Sequence, residues 1–173
     1  MTETDYGELR RDDGTPRLRF TRRLPFPQAA VWRAVTEPEH LAAWFPTTID
    51  GERRAGAPLR FRHRDDAGPA FDGEMLAFDP PSVMELRWGE DIVRIEVEPA
   101  GEAASTLVLT HTFADLGKAA RDGAGWHVCL DALGRSLSGE PTPDGTRERW
   151  EEVRADYAER FGPEAAIVGP PGE

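Results

Sequence analysis

The sequence predicts an α+β fold in which a curved antiparallel sheet of about seven strands wraps around a long C-terminal helix. Three observations predict it. Segments with period-two alternation follow one another through most of the chain. The Pro/Gly turns between them are shorter than the dozen or so residues that a parallel crossover needs. From about Lys118 the apolar spacing changes to three and four, the mark of an amphipathic helix. A meander followed by one long helix buries that helix across the concave face of its sheet. This arrangement leaves room for an apolar cavity between the two.

Residues 1–16 mix Gly, Asp, Glu, Arg and Pro without periodicity and read as a flexible tail. From Arg17, Leu18 and Phe20, with Arg22 in the same register, alternate against Arg19 and Thr21 in a half-buried strand that ends at Pro25-Phe26-Pro27. Pro27 suits the first turn of a short helix with the stripe Ala30, Val31, Ala34 and Val35. Thr36 and Glu39 match a capping box, which starts a second short helix reaching about Trp44. Six further strands are expected at 47–50, 58–64, 71–78, 83–88, 92–98 and 105–113. Turns at Asp65-Asp66-Ala67-Gly68-Pro69, Asp79-Pro80-Pro81, Gly89-Glu90 and Pro99-Ala100-Gly101 join the last five. The long helix carries Trp126, Cys129 or Leu130, Leu133 and Leu137. A linker at 139–145 leads to an extra C-terminal helix over about 146–161, with the stripe Trp150, Val153, Tyr157 and Phe161. Gly162-Pro163 stops it, and a disordered tail spans 163–173. The folded domain is thus expected over 17–162.

Composition narrows the function. The 173 residues suit one domain with a full core. A net charge of −11 disfavours nucleic acid and anionic membrane surfaces as partners. No apolar run reaches the ~18 residues of a membrane span. The acidic N-terminus lacks the basic and apolar regions of a secretory signal. Cys129 is the sole cysteine, which precludes an intramolecular disulfide and fits the cytoplasm. Lys118 is the sole lysine beside many arginines and there is no asparagine, a codon bias pointing to a high-GC bacterial genome.

Several pieces in order resemble a known family: Phe26-Pro27 before Val31-Trp32, Thr36-Glu37-Pro38-Glu39-His40-Leu41, Trp44-Phe45, Gly73-Glu74-Met75, Asp79-Pro80-Pro81, Trp88, the strand Thr106 to Phe113, and Gly125-Trp126. Over residues 17–162 the chain resembles the START-like superfamily, also called SRPBCC or birch-pollen-allergen-like. Within it, the chain is similar to the bacterial branch that resembles the C-terminal domain of the heat-shock-protein-90 ATPase activator homologue. The resemblance implies a helix-grip fold with an apolar cavity. Its name implies a chaperone partner and a stress response, but a shared fold does not transfer a function.

The inward faces of sheet and helix supply the expected ligand-binding residues: Trp44, Phe61, Phe71, Met75, Trp88, Ile95, Leu109, His111, Trp126, Leu130 and Leu133. His111 shares the alternation of Leu109 and Phe113. It reads either as a group that orients a ligand or moves a proton, or as a core histidine with its hydrogen bonds satisfied, the commoner fate of buried polar groups. His63 and His111 lack the further ligands of a metal site. His127 and Asp131, four apart, read as a surface pair, and Cys129 reads as a small buried hydrophobe. No catalytic residue, cofactor or metal is assigned. The expected role is binding of a small hydrophobic molecule in a cytoplasmic protein, with a homodimer possible. The alternatives are a protein-interaction module resembling the chaperone activator and a cyclase-like or hydrolase-like enzyme that uses the cavity.

Overall fold

The structure, a computed structural model, describes residues 5–64, 68–141 and 144–169. Residues 1–4 and 170–173 of the expected tails, Asp65, Asp66 and Ala67 of the expected turn, and Thr142 and Pro143 of the linker lie outside the described residues. The strands are β1 (Glu8–Arg10), β2 (Arg17–Leu24), β3 (Pro58–Phe61), β4 (Phe71–Asp79), β5 (Val83–Trp88), β6 (Asp91–Pro99) and β7 (Ser105–Thr112). The helices are α1 (Gln28–Thr36), α2 (Pro38–Leu41), α3 (Ala119–Leu137) and α4 (Thr146–Phe161). One curved sheet runs in the order β1-β2-β7-β6-β5-β4-β3, and every neighbouring pair is antiparallel. The expected helix-grip α+β architecture is present. None of these helices is long and apolar enough to cross a membrane.

Alternation decides which side chains face α3. On β2, Leu18, Phe20, Arg22 and Leu24 are buried while Arg19, Thr21 and Arg23 are exposed. Val93, Ile95 and Val97 of β6 and Leu107, Leu109 and His111 of β7 extend the same inner face. Across it lies α3, burying Ala120, Ala124, Trp126, Leu130 and Leu133. Each large apolar side chain removed from water in this way contributes about 1.5–3 kcal/mol. The buried charge on Arg22 is paired, as burial requires. Its Nη1 meets Asp131 Oδ1 at 2.9 Å, while Nε and Nη2 donate to the Asp5 carbonyl.

Five local expectations need correction. Within the expected 1–16 tail, Glu8–Arg10 forms an edge strand on β2, too short to show an alternation. Tyr6 anchors it by donating from its hydroxyl to Asp156 Oδ2 at 2.7 Å. The expected strand at 47–50 is reduced to the isolated bridges Thr47–His63 and Asp50–Arg60, so β1 makes up the number of seven. The capping box does not form. Thr36 ends α1 with its Oγ1 donating to the Trp32 carbonyl at 2.7 Å, and α2 stops at Leu41 rather than Trp44. In the expected C-terminal tail, Ala165 is buried, and the Val168 N–H reaches the Gly117 carbonyl at 3.0 Å. Finally, His127 is fully buried rather than part of a surface pair, because α4 and the N-terminal segment cover it.

Candidate ligand cleft

A cleft of ≈ 560 Å³ opens where the β5–β6 hairpin meets the first half of α3. Its apolar lining comes from separated parts of the chain: Pro46 after α2, Phe71 of β4, Trp88 of β5, Gly125, Trp126 and Cys129 of α3, and Trp150 of α4. The two-residue turn Gly89-Glu90 depends on Gly89 at φ 67°, a conformation open to glycine without strain. That turn sets Trp88 directly opposite Asp91, so an aromatic wall and a carboxylate enter the cleft side by side.

The rings are held in place. Trp88 and Trp126 lie 5.5 Å apart between centroids, and Phe71 lies 5.7 Å from Trp88. The Trp88 indole N–H donates to Thr47 Oγ1 at 3.2 Å, and that of Trp126 donates to His111 Nδ1 at 2.9 Å. The loop that carries Pro46 is braced from both sides. Arg53 donates to the Thr36 and Ile49 carbonyls, and Arg64 Nε donates to the Phe45 carbonyl at 2.7 Å. Trp150 is different: its indole nitrogen lies 4.0 Å from where a Gly125 Cβ would stand, and it has no acceptor among the described residues.

The polar rim consists of His63, Arg64, Asp91, His111, Lys118, Arg121 and Asp122. An indole nitrogen only donates, so His111 Nδ1 must accept, and the ring proton sits on Nε2. Nε2–H then donates to Asp91 Oδ2 at 2.9 Å. Both ring nitrogens are thus engaged with protein groups, the arrangement of a satisfied core histidine. Asp91 Oδ2 also accepts from Lys118 Nζ at 3.2 Å. Burial alone would raise the Asp91 carboxyl, but the His111 hydrogen bond and nearby Lys118 outweigh it and hold the group below its ordinary range. Asp122 binds Arg121 Nε at 3.0 Å and lies 3.9 Å from Lys118 Nζ. Burial pushes the Cys129 thiol up to about 12, so it stays protonated, without the lowered pKa of a reactive thiolate.

Of the residues expected to bind ligand, Phe71, Trp88, His111 and Trp126 come together on this cleft. Phe61, Met75, Ile95, Leu109, Leu130 and Leu133 do not line it. They are fully or nearly fully buried in the core, packed where an open space was expected. Trp44 does not line it either, since its indole N–H donates to the Ala34 carbonyl at 2.9 Å under α1. Sequence reasoning assigned none of the other lining residues to the site, among them Arg64, Asp91, Lys118, Gly125 and Trp150. Asp91 was within reach, because it continues the inward alternation of Val93 and Ile95 by one step. Trp150 was legible as part of the apolar stripe of the extra C-terminal helix, but nothing in its spacing says that this helix reaches the cleft. Among the described residues, Glu37, Glu39 and His40 come close enough to share a metal ion. They lie at α2 outside the cleft lining, and exposed groups of this kind are common without an ion.

A comparison with curated proteins found no match. Among solved structures, the chain is similar to EF2215 from Enterococcus faecalis at 17% identity and a TM-score of 0.77, covering 94% of this chain and 92% of that one. CalU16 from Micromonospora echinospora is 23% identical with a TM-score of 0.71, covering 90% and 98%. The BPP1335 protein from Bordetella parapertussis is 26% identical with a TM-score of 0.68, covering 92% and 93%. These likenesses extend over nearly whole chains and agree with the helix-grip fold. The sequence pattern of the activator of Hsp90 ATPase homolog 1-like proteins matches residues 25–138, from the turn before α1 to the end of α3. The chain therefore belongs to the family of activator of Hsp90 ATPase homolog 1-like proteins.

Proposed function

We propose that this protein binds a small, largely apolar molecule in the cleft between the β5–β6 hairpin, α3 and α4. The observation that carries the reading is the cleft itself: ≈ 560 Å³ walled by Phe71, Trp88, Trp126 and Trp150. That volume lies within the ~300–1,000 Å³ usual for small-molecule sites, which combine apolar walls with a few placed polar groups. The interaction-module reading has less support. It needs a broad exposed apolar patch, whereas the exposed large hydrophobics among the described residues are Ile92 and Ile167. The enzyme reading would recruit His111, whose ring nitrogens already serve Trp126 and Asp91.

The test is a plug. Leu109 is unsuitable, because it is fully buried between Phe20 and Ile95 in the sheet, and a larger side chain there would overpack the core. Gly125 is suitable. It faces the cleft, and the nearest atom to an added Cβ is Trp150 Nε1 at 4.0 Å. With the neutral probe 2-naphthalenemethanol, the melting temperature of the wild type should rise, because a ligand at about 100 times its Kd stabilises the folded state by about 2.7 kcal/mol. Gly125→Leu should fold and show no such rise. Failure of apolar probes to shift melting, or an equal shift in Gly125→Leu, would overturn the reading.

A further inference from the structure

The charges on the rim carry the assignment further, to the chemical class of the ligand, and this step rests on the cleft being a binding site. The lining holds three cations and two carboxylates. The carboxylates are already answered. Asp91 receives His111 Nε2–H and Lys118 Nζ, and Asp122 receives Arg121 Nε with Lys118 close by. Lys118 and Arg121 are thereby spent on protein carboxylates. Arg64 is not. Its Nε donates to the Phe45 carbonyl, but its Nη1 and Nη2 have no hydrogen bond, and no carboxylate lies within salt-bridge distance among the described residues. Partial burial lowers the affinity of this guanidinium for its proton, and the Asp50 carboxylate, itself paired with Arg62, opposes that shift. The Nε contact holds the group at the cleft while the two terminal nitrogens remain available among the described residues. A guanidinium in that state is a fork shaped for the two oxygens of a carboxylate.

The apolar side of the cleft specifies the rest of the molecule. Phe71, Trp88 and Trp126 form a continuous set of ring contacts on one side, and Trp150 contributes a ring from α4 next to the bare backbone of Gly125. Aromatic walls of this kind favour a flat ring system, which gains offset and edge contacts beyond its buried area. We propose that the cleft selects an aromatic carboxylic acid, with the carboxylate on Arg64 and the ring body between Trp88, Trp126 and Trp150.

Three probes of similar size separate this proposal from the simpler one beneath it: 2-naphthoate, neutral 2-naphthalenemethanol and cationic 2-naphthylmethylamine. Binding is read by titration calorimetry at pH 7 with the full chain. The expected order is naphthoate tightest, about tenfold or more ahead of the alcohol, as a charge-assisted pair allows, with the amine weakest. Arg64→Gln should bring naphthoate to within about twofold of the alcohol while alcohol binding persists, which also shows that the variant is folded. Arg64→Lys, which keeps the charge and loses the fork, should retain only part of the preference. Arg60→Gln, at an exposed cation paired with Asp72 and outside the cleft lining, should keep the wild-type order. If alcohol and naphthoate bind the wild type equally, or Arg64→Gln leaves the preference intact, the carboxylate assignment is wrong and the cleft reading stands. If none of the three probes binds, both fall.

Discussion

Trp126 and His127 are neighbours on α3 and both are buried, yet they serve opposite kinds of environment. Trp126 faces Phe45, Trp88 and His111, on the side where the cleft remains open. His127 faces Tyr6 and Tyr157, where the N-terminal segment and α4 close over the helix. Each side has a histidine held by polar partners. His111 links Trp126 to Asp91. His127 Nδ1 meets the Tyr157 hydroxyl at 2.8 Å, and that same hydroxyl accepts the Gly7 N–H at 2.8 Å. The difference lies in what covers them. Extra chain completes the packing around His127, whereas around Trp126 aromatic rings and a glycine leave space. The segments outside residues 25–138 therefore have two effects: Tyr6, Gly7 and Tyr157 of α4 seal one part of the interface, and Trp150 of α4 walls the other.

The largest way to break this comparison is Trp126→Ala, because Trp126 is both core and cleft wall. It should destabilise the fold by about 3–5 kcal/mol, the range for a buried aromatic, and leave His111 Nδ1 without its donor. A shift of the denaturation midpoint worth less than ~1 kcal/mol would contradict its place in the core.

Acid should act on the sealed side. Burial pushes His127 down to about 4, with Asp131 and Asp5 opposing and Arg22 and Arg149 reinforcing the shift. The folded state therefore favours the neutral ring, and between pH 6.5 and about 4 the unfolded chain binds more protons. Stability contributed by the neutral ring is complete above pH 6.5, falls as the pH drops through that window, and levels off near 4, a loss of at most about 3 kcal/mol. Denaturation midpoints measured across the window should decline more steeply for wild type than for His127→Gln. Equal slopes would mean that His127 does not set the acid response.

A smaller effect sharpens the seal itself. Tyr157→Phe keeps the ring beside Gly123 but removes the hydroxyl shared by Gly7 and His127. Leaving those buried groups unsatisfied should cost about 1–3 kcal/mol, with amide exchange at Gly7 quickened. Unchanged exchange at Gly7 would separate the N-terminal segment from this network.

Much of this fold was legible in the sequence because alternation and helical period report which face of an element is inward. Leu18, Phe20, Ile95, Leu109 and Leu130 all point where their spacing says. Period does not report depth along the element. Leu109 and His111 share one face of β7, but the first is closed in the core while the second borders the cleft, so core and wall could not be told apart. The seal around His127 was hidden for another reason. Tyr157, its partner, and Gly7, which shares the Tyr157 hydroxyl, are 30 and 120 positions away, in the extra C-terminal helix and the expected flexible tail. Two of the local errors, the capping box at Thr36 and the strand at 47–50, are places where a hydroxyl found another partner than the short motif implies. Thr36 bonds back into α1, and Trp88 claims the Thr47 hydroxyl.

The five tryptophans offer the most direct test of the central claim, that the space beside Trp126 is a binding site. Trp88, Trp126 and Trp150 line the cleft, whereas Trp32 and Trp44 are buried outside its lining. The indole N–H signals of a nitrogen-15-labelled sample, followed during titration with 2-naphthoate, read all five at once. Saturable shifts at Trp88, Trp126 and Trp150, with Trp32 and Trp44 unmoved, are the expected result. Signals that stay fixed throughout, or shifts centred on Trp32 and Trp44, would contradict it.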